Sequence, residues 1–173
     1  YIAGAVIRAL LEAGSSVIAF DNEEKNQSPL PDSPNVIYIK GDIRNADEVL
    51  AAMKGADAVV HLAAYIEAGV SVNKPALFFH NNVIGTTNVL DAMTAHGIKT
   101  LAFASSAGVY SGKGLAGDDS LTEAVDPDPQ NPYGETKLLM EKLMADYGKK
   151  GIRFGALRFF NAAGALEDHG EDH

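Results

Sequence analysis

The stretch YIAGAVIRALLEAGSSVIAFD, residues 1–21, decides the fold. Apolar side chains recur at helical spacing over residues 3–13, and Gly14 supplies a C-terminal stop. Residues 17–20 are a short β-rich run ending on Asp21. A helix that feeds such a strand is half of an alternating α/β repeat, and the rest of the chain continues that alternation.

Residues 22–35 are polar, contain three prolines and read as a loop. A second strand is expected over 36–39, and GDIRN then leads into a helix over about 45–54. DAVVHL (57–62) is a buried strand, and Pro75 opens a helix that runs to His96 before Gly97. Strands at 100–104 and 153–159 flank a long connection (105–131) and a helix over 132–147. Short apolar strands alternating with helices predict an α/β fold, a doubly wound parallel sheet with helices on both faces. Its ligand crevice would lie at the carboxyl ends of the strands.

The 173 residues suffice for one domain with a real core, and 46% apolar with 21% charged residues fits a globular chain. A net charge of −9 argues against a nucleic-acid or anionic-membrane partner. The absence of cysteine removes disulfides, thiolate metal sites and thiol catalysis from this chain and fits a reducing, cytoplasmic setting. No apolar run approaches a membrane span, and no basic signal-peptide start is seen.

Asp21 lies 18 residues after Ala3, near the offset at which dinucleotide folds place a ribose-binding carboxylate. That carboxylate would accept from ribose hydroxyls and repel a 2′-phosphate, favouring NAD over NADP; the plain alternative is a solvated strand end. Asp42 stands where an adenine edge could be contacted, or where a helix N-cap is needed. His61 ends an apolar strand and reads as a satisfied core residue. Ala63 and Ala64 after it would let a cofactor approach the backbone. In NPYGETK, Tyr133 and Lys137 at i, i+4 share one helix face. An ammonium one turn away is expected to lower the phenol pKa and make Tyr133 a usable acid and base. Ser105 and Ser106, at a strand end, can present a hydroxyl to the crevice, although serines also favour such turns. The tail HGEDH (169–173) has no companion ligands, and we read no metal site there.

These residues together resemble the extended short-chain dehydrogenase/reductase family, the NAD-dependent epimerases and dehydratases, with its Ser-Tyr-Lys set. The matching stretches are YI at the start, HLAAYIEAGVSV, NNVIGTTNVLDAM, FASSAGVY, NPYGETKLLMEKLM and LRFFNAAGA followed by GEDH. The last pair is most like the bacterial members that epimerise UDP-glucose. The resemblance implies Tyr133 as base and acid, Lys137 as its electrostatic partner and Ser106 on the sugar 4-position. It implies a cofactor lining of Tyr1, Ile2, Asp21, Asn22, Asp42, Ile43, Leu62, Ala63, Ala64, Asn81 (or Asn82), Ser105 and Phe160, together with Tyr133 and Lys137. Asn161 would touch the nucleotide-sugar with Ser106 and Tyr133.

The implied activity is epimerisation at C4 of a UDP-sugar, UDP-glucose or UDP-galactose, through a transient 4-keto sugar with NAD retained. A uronate epimerase, a decarboxylase, a 4,6-dehydratase and a non-catalytic NAD sensor are the alternatives. Ala107 and Gly108 after Ser106 argue against the dehydratase, and the retained Ser-Tyr-Lys set argues against the sensor. The helices at 75–96 and 132–147 would pair as a four-helix bundle in a homodimer. Ala3 stands for a third glycine, and Ile66, Gly108 and Ser111 depart from common family residues. The resemblance also implies a strand and glycine-rich turn before residue 1 and a nucleotide-sugar domain after residue 173. The expectation is therefore a partial NAD-binding domain, a fragment of an epimerase active only at full length.

Overall fold

The computed structural model describes residues 1–25, 30–110 and 121–164. Its elements follow the expected order. Helix α1 (Ile2–Glu12) leads to β1 (Val17–Asp21), then β2 (Val36–Lys40), α2 (Ala46–Ala52) and β3 (Ala58–His61). Next come α3 (Ala68–Asn73), α4 (Pro75–Phe78), a π-helical segment (Phe79–Ile84) and α5 (Gly85–His96). Strand β4 (Thr100–Ser106) runs into a 3-10 turn (Ala107–Val109), and α6 (Pro132–Gly148) precedes β5 (Arg153–Phe159).

Every strand pairing is parallel, and the ladders form two sets. β1 pairs with β2 from Val17↔Val36 to Asp21↔Lys40. The second set has the order β3-β4-β5, with β4 paired on both sides and its last rungs at Ser105↔Arg158 and Ser106↔Phe159. Among the described residues no ladder joins β1 to β3, so the one sheet expected from the alternation is divided between them. The loops still meet: Tyr65, after β3, donates its hydroxyl to Glu24, after β1. The carboxyl ends of the two sets therefore face a common edge.

The core sits where α2, α5 and α6 cover one face of β4. Leu101 and Phe103 point into it against Val89, Leu90 and Met93 of α5 and Met140 and Met144 of α6. Alternation along β4 explains this, since residues 101, 103 and 105 are buried while 102, 104 and 106 are half-buried. Phe103, Leu90, Met93, Met140 and Met144 are essentially inaccessible. Burial of each such side chain is worth about 1.5–3 kcal/mol, so this layer holds α6 down against β4. Among the described residues no helix is long and apolar enough to cross a membrane.

Candidate active site

Helix α6 begins under tight local control. Asn131 is its N-cap, accepting from the Gly134 amide at 2.9 Å, and Pro132 occupies the first turn. The Tyr133 amide, which has no partner within the helix, donates to Ser71 Oγ of α3 at 3.1 Å. Gly134 makes the approach possible: a Cβ there would lie 2.2 Å from the Gly108 carbonyl oxygen. Only a bare backbone lets the first turn of α6 sit on the turn that follows Ser106.

This contact brings Ser106, Tyr133 and Lys137 together. Ser106 caps the 3-10 turn, its Oγ accepting from the Gly108 amide at 3.0 Å. Burial pushes the Tyr133 phenol above its ordinary pKa, while a side-chain hydrogen bond with Ser106 pulls it back. The lowering expected from Lys137 is not found. Its Nζ lies 5.8 Å from the Tyr133 ring centre and donates to the Ala104 carbonyl at 2.7 Å. Lys137 is itself only 2% exposed, and burial brings its pKa down to about 8. A third neighbour is Gly108, where a Cβ would stand 3.2 Å from Ser106 Oγ and 3.6 Å from Tyr133 Cε1. Position 108 thus lies beside both hydroxyls, and glycine leaves that space open.

Other expected residues divide by what their side chains already do. Ser105 is buried, and its hydroxyl donates to Glu141 Oε1 at 2.5 Å, so it is occupied inside the fold. Asp42 is held by Arg44, whose backbone amide and Nε donate to Oδ1 at 2.8 and 2.9 Å, and by Asn22 at 3.4 Å. These bonds take its carboxyl down to about 2. Asp42 does not cap α2; Asn45 does, accepting from the Asp47 and Glu48 amides. Asp21 is exposed at the end of β1 and receives the Glu23 amide at 2.7 Å. Ile43 is buried beneath α5, while Leu62, Ala63 and Ala64 follow β3 half-buried. Tyr1 precedes α1 and donates to the Gly164 carbonyl at 2.6 Å, with Ile2 beginning the helix.

Phe160 and Asn161 are exposed after β5. An open cavity of about 350 Å3 lies there, lined by Tyr110, Thr122, Glu123, Arg158, Phe159 and Phe160 among others. Ile66 is exposed after β3. Ser111 and the tail from residue 165 onward, with its HGEDH, lie outside the described residues.

His61 is fully buried, shares a hydrogen bond with Thr86 Oγ1 at 2.9 Å, and is kept neutral by burial, its pKa falling to about 3. It is a satisfied core residue. Asn82, the alternative to Asn81 as a contact to cofactor or nucleotide-sugar, has its side chain fully used within the fold. Its Oδ1 accepts from the Tyr65 and Asn81 side, at 2.8 Å from the Tyr65 amide and 3.0 Å from Asn81 Nδ2. Its Nδ2 donates to the Tyr65 carbonyl and to Thr136 Oγ1, and Thr136 donates onward to the Tyr133 carbonyl. Sequence reasoning missed Asn82, Thr136 and Ser71 as supports of Tyr133. It also missed Glu141, although Tyr133, Lys137 and Glu141 at i, i+4, i+8 mark one helix face.

The pattern described as "NAD dependent epimerase/dehydratase family" matches residues 1–173. The UDP-glucose 4-epimerase of Lactobacillus helveticus is 39% identical over 178 residues, covering all of this chain and 53% of that protein. The chain thus spans about half the length of the curated relatives it matches. The crystal structure of UDP-glucose 4-epimerase from Brucella ovis in complex with NAD superposes with a TM-score of 0.91 at 33% identity, covering 100% of this chain and 53% of that one. The Bifidobacterium longum UDP-glucose 4-epimerase, in complex with NAD+ and UDP, gives 0.84 at 31% identity, covering 96% and 52%. With parallel strands, α6 laid over the end of β4, and a family match along its entire length, this chain belongs to the NAD-dependent epimerase/dehydratase family.

Proposed function

We infer that the full-length gene product is an NAD-dependent 4-epimerase that interconverts UDP-glucose and UDP-galactose. The observation that carries this reading is the contact of Tyr133 with Ser106 beside a buried Lys137. Solved relatives with UDP, and with formylated UDP-arabinopyranose, support the substrate class.

The residues fit a nicotinamide dinucleotide. Lys137 has three N–H donors and one acceptor, the Ala104 carbonyl, in a site almost closed to water. Two buried donors are left for ribose hydroxyls. The half-buried Ala63 and Ala64 follow β3 and the exposed Asp21 ends β1, small and acidic groups at the strand ends where the dinucleotide would lie. A dinucleotide held there would supply the hydride acceptor for C4 of the sugar and the source of the same hydride on its return.

The chain's own groups handle the proton. Ser106, its oxygen fixed by the Gly108 amide, keeps its hydroxyl hydrogen for the sugar O4 or the Tyr133 phenol. Tyr133 removes the O4 proton and returns it after the 4-keto sugar has turned over. Lys137 supplies positive charge beside the phenolate as it forms.

Val70, Val72, Leu77, Ile84 and Leu139 leave exposed apolar surface on α3, α4, the π segment and α6. A homodimer joined through these helices would cover it, and sedimentation equilibrium measures that directly. The reading places the enzyme in the cytoplasm. Its test is conversion of UDP-galactose to UDP-glucose by the full-length gene product with no added reductant. Turnover of UDP-glucuronate alone would replace it with a uronate epimerase or decarboxylase.

A further inference from the structure

The face of α6 that carries Tyr133 and Lys137 has a third polar residue, two turns on. Glu141 sits over the Ser105↔Arg158 rung, the last rung but one between β4 and β5. Its carboxylate grips both members. Ser105 Oγ donates to Oε1 at 2.5 Å, and Arg158 donates through Nε to Oε1 at 3.0 Å and through a terminal nitrogen to Oε2 at 2.7 Å. Arg158 also donates to the Tyr110 hydroxyl at 2.5 Å and lies 4.8 Å over that ring. Glu141 and Arg158 are largely buried, with side-chain exposures of 12% and 23%. Such a two-point pair fixes direction as well as distance.

Three consecutive residues of β4 are therefore held by one helix face: Ala104 by Lys137, Ser105 by Glu141 and Ser106 by Tyr133. The core beneath is Met140 and Met144 against Phe103 and Leu101. Methionine is a pliable packing residue that leaves sliding along the helix axis weakly opposed. A charged, bidentate contact to both strands opposes it directly. On the other side Tyr110 ties the same guanidinium to the end of the segment that carries Ser106 and Gly108.

We propose that Glu141 and Arg158 are positioning residues that set the register of α6 on β4 and so the approach of Tyr133 to Ser106. The claim rests on the epimerase reading for its kinetic test but not for its structural one. In the full-length gene product, Glu141→Gln should lower kcat about 10- to 100-fold while KM stays within about threefold. Folded yield and bound dinucleotide should remain as in the parent. The exchanged pair, Glu141→Arg with Arg158→Glu, should recover about tenfold of that loss. Ser105→Ala, which removes one bond and no charge, should cost about threefold and serves if Glu141→Gln does not fold. Hydrogen exchange at the amides of residues 133–137 should quicken in each single variant.

Parental kcat per folded molecule in both single variants, with unchanged exchange over 133–137, overturns the proposal. If the parent protein does not turn over UDP-glucose, the epimerase reading falls. The exchange comparison then decides the positioning claim alone: faster exchange upholds it and parental exchange overturns it.

Discussion

The Nζ of Lys137 donates to the carbonyl of Ala104 at 2.7 Å, one helical turn beyond Tyr133 and nearly sealed from water. A cation held there by a single neutral acceptor is costly, and its pKa of about 8 expresses that cost. Between pH 8 and the ordinary lysine value the unfolded chain binds the extra proton and the folded chain does not. The contribution of Lys137 to stability therefore rises with pH across that window and is flat below it.

Replacing Lys137 by Met should abolish that rise. The variant should be more stable than the parent near pH 7, with the advantage shrinking by on the order of 3 kcal/mol by pH 10.5. Urea unfolding at a series of pH values measures both curves. Parallel curves from pH 7 to 10.5 would show that the lysine carries no burial cost.

Gly134→Ala tests the close approach of α6 to the Ser106 turn. The new Cβ meets the Gly108 carbonyl oxygen at 2.2 Å and Pro129 at 3.0 Å, and the first of these is backbone. Destabilisation of about 2–3 kcal/mol is expected, together with loss of turnover as Tyr133 is moved off Ser106. A variant with parental unfolding midpoint and rate would mean that the contact is slack.

Asn82→Ala removes four hydrogen bonds at once and leaves the Thr136 hydroxyl and the Tyr65 backbone short of partners. Asn82 is fully buried, with Asn81 and Thr136 buried beside it and the Tyr65 backbone half-buried, so the cost should reach about 2–4 kcal/mol. Exchange of the Tyr65 amide, which donates to Asn82 Oδ1, should quicken and become one of the fastest in its segment. An unchanged Tyr65 amide would show that the loop is held by other contacts.

Much of this was legible in the sequence because it depends on local pattern. The apolar runs at 17–20, 36–39 and 57–62 and the start and stop signals at Pro75 and Gly97 mark their elements within a residue or two. In AGVSVN, Gly69 and two valines disfavour helix, yet α3 forms because packing against α6 overrides the propensity. The π segment at Phe79–Ile84 leaves no mark in composition, because it differs only in which carbonyl each amide meets. Nor could spacing show that Ser105 turns to Glu141 or Asp42 to Arg44. Those partners are fixed by β4–β5 register and by loop closure, which are long-range outcomes. Tyr133, Lys137 and Ser106 were legible because two share a helix face and the third ends a strand.

The direct measurement of the central claim is turnover of UDP-galactose to UDP-glucose by the full-length gene product, parent against Tyr133→Phe, with no reductant added. Loss of the phenol hydroxyl should reduce kcat by about 10²- to 10⁴-fold while the protein still binds the nucleotide-sugar. A Tyr133→Phe variant that epimerises at close to the parental rate would contradict the account.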